Sequence, residues 1–174
     1  QMIGVSQTFL GVKALERVSL DVSCGEVLAL VGENGAGKST LMKIMTGVYQ
    51  PDAGSEIRID GVLIAHLHGT AHARELGVSI IYQELSVVDN LTIAENVFLS
   101  REICTRLGLL DRRAMNAATR DLLATLGIDL DPAMRVADLS VGQKQMVEIA
   151  KALSYRSRVV IMDEPTASLS QHEA

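Results

Sequence analysis

The stretch GENGAGKST, residues 32–40, restricts the possible folds of this chain more than any other. It contains three glycines and one lysine and follows the apolar run VLALV at 27–31. Loops of the form G-x-x-x-x-G-K-[S/T], placed between a buried strand and a helix, curl so that their N–H groups face phosphate oxygens. The fixed positions of this motif are filled by Gly32, Gly37, Lys38 and Ser39. The sequence therefore predicts a phosphate-binding loop, with Lys38 on the β- and γ-phosphates and the Ser39 hydroxyl on magnesium.

Short hydrophobic patterns elsewhere predict the strands of a layered α/β protein. Nearly continuous apolar runs, typical of strands covered on both faces of a parallel sheet, occur at 27–31, 78–82 and 159–162. Alternating apolar and polar residues, typical of half-buried strands, occur at 18–22 and 57–61. We expect the first group to form a central sheet and the second group a small antiparallel region.

Helix signals fill the intervals between these strands. An apolar stripe with helical spacing follows the glycine-rich loop and ends toward Gly47; its members are Leu41, Ile44, Met45 and Val48. Thr92 and Glu95 have the spacing of a capping box, and Asp111 can cap a helix that stops at Gly127. A third apolar face comprises Met146, Ile149, Ala150 and Leu153.

These patterns predict a layered α/β core with a small antiparallel region near its start and a mostly helical insertion before the last strand. We expect residues 1–88 to hold the β region and the loop core, 89–155 the helical subdomain, and 156–174 the last strand with its following loop.

Composition excludes several kinds of protein. The net charge is −5, from 16 basic and 21 acidic side chains, and no Lys/Arg block could follow a phosphate backbone, so we expect no nucleic-acid partner. Cys24 and Cys104 lie far apart, without the spacing of a zinc site or a disulfide framework. No apolar stretch approaches the roughly 20 residues of a membrane-spanning helix.

Two acids follow the apolar run at 159–162. Asp163, at the carboxyl end of a parallel strand, is placed to hold the magnesium, directly or through water, and Glu164 is placed to polarise the attacking water. Solvated acids at a strand end would be the alternative reading, which a phosphate-binding loop in the same chain disfavours.

A second possible anion site lies at LSVGQ, residues 139–143, directly before the third helix. Ser140 and Gly142 place a hydroxyl and unhindered N–H groups at a helix N-terminus. One nucleotide has little use for two distant sites, so unless the two sites fold onto each other, this one would serve a nucleotide bound by another copy or domain. Taken alone, the pentapeptide is better explained as a helix cap.

Together these motifs resemble the nucleotide-binding domain of ATP-binding cassette (ABC) transporters. The loop at 32–40 matches the Walker A motif, LSVGQ the signature, and VVIMDEP at 159–165 the Walker B strand with its glutamate. Gln83 matches the Q-loop glutamine, which contacts the magnesium site and faces the membrane partner, and Phe9 matches the aromatic that stacks on adenine. The resemblance covers essentially the whole chain. It implies an α/β P-loop NTPase fold with a RecA-like core and a mainly parallel sheet, an N-terminal antiparallel β region and a helical subdomain.

The resemblance implies ATP and Mg²⁺ as cofactors and a role for each matched residue. Catalytic roles fall to Glu164, Gln83 and Lys38. Magnesium would be held by Ser39, Gln83 and Asp163. The nucleotide would be contacted by Phe9, Gly32, Asn34, Gly35, Gly37, Lys38, Ser39 and Thr40. A second domain's nucleotide would be contacted by Ser140, Val141, Gly142 and Gln143, because cassettes of this family pair head to tail.

Several segments are most similar to the first of two tandem cassettes in bacterial monosaccharide importers of the ribose, galactose and xylose group. They are GVKALERVSLDV, YQEL, LSVGQKQMVEIAKAL and DEPTASLS. This likeness implies an ATPase that powers sugar import, a second nucleotide-binding domain, a membrane permease and, indirectly, a periplasmic sugar-binding protein. It also implies a peripheral location on the cytoplasmic face of the inner membrane.

The chain departs from the family pattern at three places. Val141 replaces the commoner glycine of the signature, and Ser170 stands where many relatives have aspartate. The family's switch histidine lies a few tens of residues beyond the catalytic glutamate, and His172 is too early to be it. We therefore expect a C-terminally truncated cassette that is inactive by itself.

Two other functions remain open. One is a soluble ABC-class ATPase acting on the ribosome or on DNA, although the interval between Lys38 and Leu139 has no sustained heptads and no basic linker is present. The other is a non-catalytic, nucleotide-gated interaction domain, which the presence of Glu164 disfavours.

Overall fold

The computed structural model describes residues 1–155 and 157–163. It divides into two compact units, residues Gln1–Ser79 and Ile80–Ala174, which are described separately below. Within the described residues no helix is both long and apolar enough to cross a membrane.

The first unit is built on an antiparallel sheet with strand order β2-β1-β3-β4. The strands are β1 (Met2–Phe9), β2 (Val12–Leu20), β3 (Glu56–Ile59) and β4 (Val62–Ile64). The β1–β2 hairpin contains register shifts. On its other side β1 pairs with β3 in an antiparallel arrangement, with Met2 opposite Ile57. This sheet confirms the predicted antiparallel region, except that Val22 lies beyond the end of β2 and is exposed.

Two helices complete the first unit, α1 (Lys38–Met45) and α2 (Gly69–Glu75). Leu41 and Ile44 are the buried side chains of α1, as their spacing predicts, because one stripe of the helix faces the interior. Gly47 follows the helix with φ +73°, which confirms the predicted helix end. Val48, predicted to continue the stripe, lies beyond the helix and is exposed.

The apolar run at 27–31 does not form the predicted strand. These residues have no regular secondary structure, and Val27 and Val31 are 98% and 91% exposed. Apolar composition indicates that a segment tends to be buried, but a strand also requires neighbours whose backbone groups pair with its own. Among the described residues no strand pairs with this run, so the prediction was wrong for this structure.

The second unit is mainly helical. Its helices are α3 (Ile93–Val97), α4 (Arg112–Thr125) and α5 (Val141–Ser154), with a 3₁₀ turn at Val136–Asp138. The helices pack on one another around a buried cluster of Ile93, Val97, Leu123, Val136, Leu139, Val147 and Ala150. On α5 the deepest apolar side chains are Val147 and Ala150, whereas Met146, Ile149 and Leu153, predicted to share that face, are half-buried.

Local capping determines where these helices begin. The Thr92 hydroxyl accepts a hydrogen bond from the Glu95 N–H, and the Glu95 carboxylate accepts one from the Thr92 N–H, which confirms the predicted capping box. The Asp111 carboxylate accepts from the Ala114 N–H at 2.9 Å, as predicted for the start of α4. The backbone hydrogen bond from Thr92 holds the pKa of Glu95 below its ordinary value, against the opposing effect of partial burial.

The remaining strands are β5 (Val78–Ile81) and β6 (Val159–Met162), which pair with each other. The N–H of Asp163, just after β6, donates to the carbonyl of Ile81, the last residue of β5, at 3.0 Å. Because the two carboxyl ends meet, the strands run in the same direction. The runs at 78–82 and 159–162 therefore form paired parallel strands, as predicted.

Candidate nucleotide-binding site

The glycine-rich loop leads directly into α1. The Ala36 N–H donates to the Glu33 carbonyl at 3.1 Å, and Gly37 precedes the helix in the left-handed region, with φ +89°. Gly37 has no side chain that could cap the helix. The N–H groups of the first turn of an α-helix have no partner within the helix, so those of α1 are available to an anion.

Only glycine fits at position 37. A Cβ there would lie 2.6 Å from Leu15 Cδ2 and 2.8 Å from the Ala14 carbonyl oxygen, both on β2. The positive φ adds a conformational penalty for any other residue. Contact with the sheet of the first unit therefore fixes the loop and the N-terminus of α1, as a preformed binding site requires.

The Lys38 side chain turns back over the loop. Its Nζ donates to the carbonyls of Gly32 at 2.5 Å and of Glu33 at 3.0 Å. The ammonium group therefore lies beside the carbonyl groups of the loop. The sequence alone did not indicate these two contacts. Phosphate oxygens are stronger acceptors for an ammonium than neutral carbonyls are, so the lysine can exchange one set for the other.

Phe9, the predicted adenine-stacking residue, lies at the end of β1 and remains partly exposed. Its ring meets the Tyr49 ring edge-to-face, with centroids 5.0 Å apart and planes at 66°. The Lys43 ammonium lies 5.6 Å from the centre of the Tyr49 ring. Tyr49 therefore fixes one side of the Phe9 ring. Sequence reasoning missed Tyr49, although its position just after α1 in a chain with 3% aromatic residues was a usable signal.

In the second unit, Gln83 and Asp163 follow neighbouring strand ends. Gln83 lies two residues past Ile81, whose carbonyl accepts the Asp163 N–H. Parallel pairing of β5 and β6 therefore places these two predicted magnesium ligands at the same edge of the sheet. Glu164, the predicted catalytic carboxylate, lies outside the described residues, as do Ser170 and His172.

The signature residues form the start of α5. The Ser140 hydroxyl accepts from the Gln143 N–H at 3.2 Å, and the Gln143 side-chain oxygen accepts from the Ser140 N–H at 2.9 Å. This is a complete capping box, so the helix-cap interpretation of LSVGQ holds for this structure. The N–H groups of Val141 and Gly142 are left without a capping partner by the geometry of a helix start, and Val141 is exposed.

The predicted residues therefore fall into two groups. The first unit holds Phe9, Gly32, Asn34, Gly35, Gly37, Lys38, Ser39 and Thr40. The second unit holds Gln83, Ser140, Val141, Gly142, Gln143 and Asp163. Sequence reasoning overlooked a charged stripe on α5, formed by Lys144, Glu148 and Lys151, whose spacing of i, i+4 and i+7 is visible in the sequence.

A glycine-rich loop at an uncapped helix N-terminus, together with an acid after a parallel strand, defines a P-loop nucleotide-binding protein. More specifically, the chain belongs to the ABC transporter family, whose model matches residues 15–167. The predicted α/β P-loop fold is confirmed by solved structures. An ATP-binding cassette described as the ADP conformation of MJ1267 superposes with a TM-score of 0.82 at 25% identity, covering 99% of this chain and 70% of that one.

A second solved structure is the dimeric post-hydrolysis state of the cassette MJ0796 bound to ADP and Pi. It superposes with a TM-score of 0.78 at 25% identity, over 99% of this chain and 76% of that chain. Curated relatives are more similar in sequence. The ribose import ATP-binding protein RbsA 1 of Rubrobacter xylanophilus is 54% identical over 173 residues, 99% of this chain. A putative ribose/galactose/methyl galactoside import ATP-binding protein of Pseudomonas fluorescens is 51% identical over 173 residues. The chain spans 34% and 33% of the lengths of these two relatives.

Proposed function

We propose that this chain is part of an ATP-binding and ATP-hydrolysing subunit that powers the import of a monosaccharide across the bacterial inner membrane. The observation that carries the proposal is the N-terminus of α1, which Gly37 leaves uncapped and over which Lys38 extends toward the carbonyls of the loop. Uncapped N–H groups and an adjacent ammonium favour a polyanion at this position.

The nucleotide is held mainly by the first unit. The N–H groups of residues 35–40 bind the phosphate oxygens, Lys38 contacts the β- and γ-phosphates, and Phe9 stacks on the adenine ring. Tyr49 supports this stacking because it holds the Phe9 ring from the side.

Mg²⁺ fits the remaining donor set. Ser39 supplies a hydroxyl oxygen, Gln83 an amide oxygen and Asp163 a carboxylate oxygen, and oxygen donors are the ligands that Mg²⁺ prefers. The hydrogen bond from the Asp163 N–H to the carbonyl of Ile81, two residues before Gln83, supports this assignment. When bound, the ion neutralises charge on the phosphates, while Glu164 orients and polarises the attacking water.

A second nucleotide-binding domain completes the site. The N–H groups of Val141 and Gly142, with the Ser140 hydroxyl, contact the γ-phosphate of a nucleotide bound to the partner. The dimeric state of the similar MJ0796 cassette supports this arrangement. Within our chain, residues 89–155 serve as the helical subdomain that presents the signature.

The transported solute is a monosaccharide of the ribose and galactose type, a proposal supported by the names of the curated relatives, which are sugar import ATP-binding proteins. The protein acts at the cytoplasmic face of the inner membrane, bound to a permease, with a periplasmic sugar-binding protein delivering the solute.

Replacing the proposed catalytic carboxylate in the intact protein tests the activity. We expect Glu164→Ala to bind Mg-ATP, to stop releasing phosphate and to accumulate as ATP-bound dimers on size-exclusion chromatography. Asp121→Ala, on the exposed surface of α4, is the matched control and should hydrolyse ATP normally. Unchanged turnover in Glu164→Ala would contradict the assigned role.

A transport assay tests the identity of the solute. We expect vesicles containing the protein and its permease to take up labelled ribose but not a labelled disaccharide.

A further inference from the structure

Helix α5 has a charged face that is turned toward the segment after Gln83. Lys144, Glu148 and Lys151 occur at positions i, i+4 and i+7 and therefore share one side of the helix over two turns. In the part of the chain that the structure describes, their hydrogen-bond and ion-pair partners outside the helix lie in the segment 86–89.

Several contacts of this face involve Ser86, which is itself exposed, and the less exposed Glu148 and Lys151. The Ser86 hydroxyl donates to Glu148 Oε1 at 2.8 Å, and Lys151 Nζ donates to the Ser86 carbonyl at 3.0 Å. Lys151 Nζ also lies 3.5 Å from Glu148 Oε1, and the two charged side chains are only 16% and 7% exposed. We call Ser86, Glu148 and Lys151 the latch.

Two further contacts hold the same segment in place. Lys144 Nζ lies 2.7 Å from Asp89 Oδ1. The fully buried Asn96 of α3 accepts from the Val88 N–H at 2.7 Å and donates to the Val88 carbonyl at 3.0 Å. Residues 86–89 are therefore held by side chains of two helices, α3 and α5. The contacts from α5 are made by charged side chains.

The kinds of contact in the latch indicate that it holds segment 86–89 in one position relative to α5. A buried ion pair adds little net stability, because desolvation offsets much of the attraction, and apolar packing would join two elements at least as well. Hydrogen bonds to one backbone carbonyl and one hydroxyl, in contrast, define a single position of the segment relative to the helix.

The latch lies between two predicted site residues. Gln83 is three residues before Ser86, so its Cα lies within about 10 Å of that of Ser86. Ser140 is eight residues before Glu148, so the start of α5 lies about 12 Å from the latch along a rigid helix. A displacement of the segment after Gln83 would therefore be transmitted to the signature residues.

We propose that the latch couples the two sites: Ser86, Glu148 and Lys151 are positioning residues that make Gln83 and the N-terminus of α5 move as one body. The catalytic consequence rests on the function proposed above. In that setting, binding of a partner near Gln83 sets the position of Ser140 against the γ-phosphate of the second nucleotide.

Distance measurements test the coupling without reference to activity. Spin labels at Glu84→Cys and Val141→Cys, both exposed positions, report the separation of the segment from the start of α5 in the intact protein, with Cys24 and Cys104 replaced by serine. We expect one narrow distance distribution with the latch intact and a broadened one in Ser86→Ala, which removes a single hydroxyl. A distribution of unchanged width in Ser86→Ala would overturn the proposal.

Steady-state kinetics of the unlabelled protein test the catalytic consequence. We expect Ser86→Ala and Glu148→Gln to lower kcat about tenfold while KM for ATP stays within about twofold. Lys151→Arg, which keeps the charge and the donors, should retain kcat within about twofold. Glu16→Gln, in the exposed Lys13–Glu16 pair, controls for loss of an ordinary ion pair and should change nothing.

The two measurements separate the possible failures. A lower melting temperature with unchanged kcat per folded molecule in Ser86→Ala and Glu148→Gln means that the latch is only structural, which overturns the proposal. If the reference protein does not hydrolyse ATP at all, the proposed function fails, and the distance distributions alone decide whether the coupling exists.

Discussion

The N-termini of α1 and α5 carry similar sequence signals but have opposite local structures. Both follow a glycine-containing motif, and both were predicted to bind phosphate oxygens. At α1 the preceding residue is Gly37 in the left-handed region, and no side chain caps the helix. At α5 Ser140 and Gln143 close a full capping box.

This difference indicates how each site acquires its ligand. The start of α1 is held by contact with β2 and leaves its amides for an anion. The start of α5 is capped by its own side chains and does not need an anion to be stable. In the proposed function its conformation is therefore already formed when a nucleotide on another domain binds there. In the proposed function, the start of α1 binds the nucleotide of this chain, and the start of α5 completes the site of a nucleotide on another domain.

The largest expected effect comes from Gly37→Ala. The left-handed backbone costs about 1–2 kcal/mol, and overpacking against Leu15 and Ala14 adds about 1–3 kcal/mol. These costs add to about 2–5 kcal/mol, so we expect the dissociation constant for Mg-ATP, measured by calorimetry, to rise at least about thirtyfold.

Gly35→Ala is the matched control for this change. Gly35 also has a positive φ, of +87°, but among the described residues no atom lies within 4 Å of a Cβ placed there. The Gly35→Ala variant should therefore lose affinity for Mg-ATP only through the cost of the left-handed backbone, without any cost of overpacking. An equal loss of affinity in both variants would show that the contact between the loop and β2 does not matter.

Lys38→Ala should have the next largest effect. Losing a charge-assisted contact to phosphate costs about 1.5–3 kcal/mol, a rise of roughly ten- to a hundredfold in the dissociation constant for ATP. The melting temperature should hardly change, because the partners of Lys38 Nζ among the described residues are the exposed loop carbonyls of Gly32 and Glu33. Lys43→Ala, on the same helix, is the control and should bind ATP with nearly normal affinity.

Ser140→Ala and Thr92→Ala separate capping from function. Each removes the hydroxyl of a capping box in the second unit and should lower the free energy of unfolding by about 1 kcal/mol, measured by urea denaturation. Only Ser140→Ala should also reduce kcat for ATP hydrolysis, with ATP affinity retained. Equal turnover in the two variants would mean that Ser140 acts only as a helix cap and has no role in hydrolysis.

The smallest expected effect concerns Glu95. Its folded-state pKa lies below the ordinary value of 4.5, so it stabilises the fold above that pH and loses this contribution as pH falls through the folded-state pKa. Glu95→Gln should therefore be less stable than the parent by about 0.5 kcal/mol at pH 7, with the difference shrinking below about pH 4.5. Urea denaturation at both pH values checks this. A difference that grows in acid would mean that the carboxylate is not stabilised by Thr92.

Local signals in the sequence were sufficient for features that depend on a few neighbouring residues. The capping box at Thr92 and Glu95, the Asp111 cap and the helix end at Gly47 all follow from side-chain chemistry within one turn. The strands at 78–81 and 159–162 were also predictable, because their apolar runs find each other as partners.

Three other features, which depend on distant partners, could not be predicted from the sequence. The run at 27–31 has the composition of a strand but lacks a paired neighbour among the described residues. The contact between Phe9 and Tyr49 joins residues that are far apart in sequence. The charged stripe of α5 is visible in the sequence, but its role is not, because only the fold brings Ser86 beside Glu148.

Backbone amide NMR of the intact protein tests most directly whether the main chain at α1 binds phosphate. We expect addition of Mg-ATP, but not of adenosine, to shift the ¹⁵N–¹H resonances of residues 35–40, while those of residues 140–143 stay in place until a second nucleotide-binding domain engages them. Shifts confined to residues 140–143, or none in either region at saturating Mg-ATP, would contradict the binding site described above.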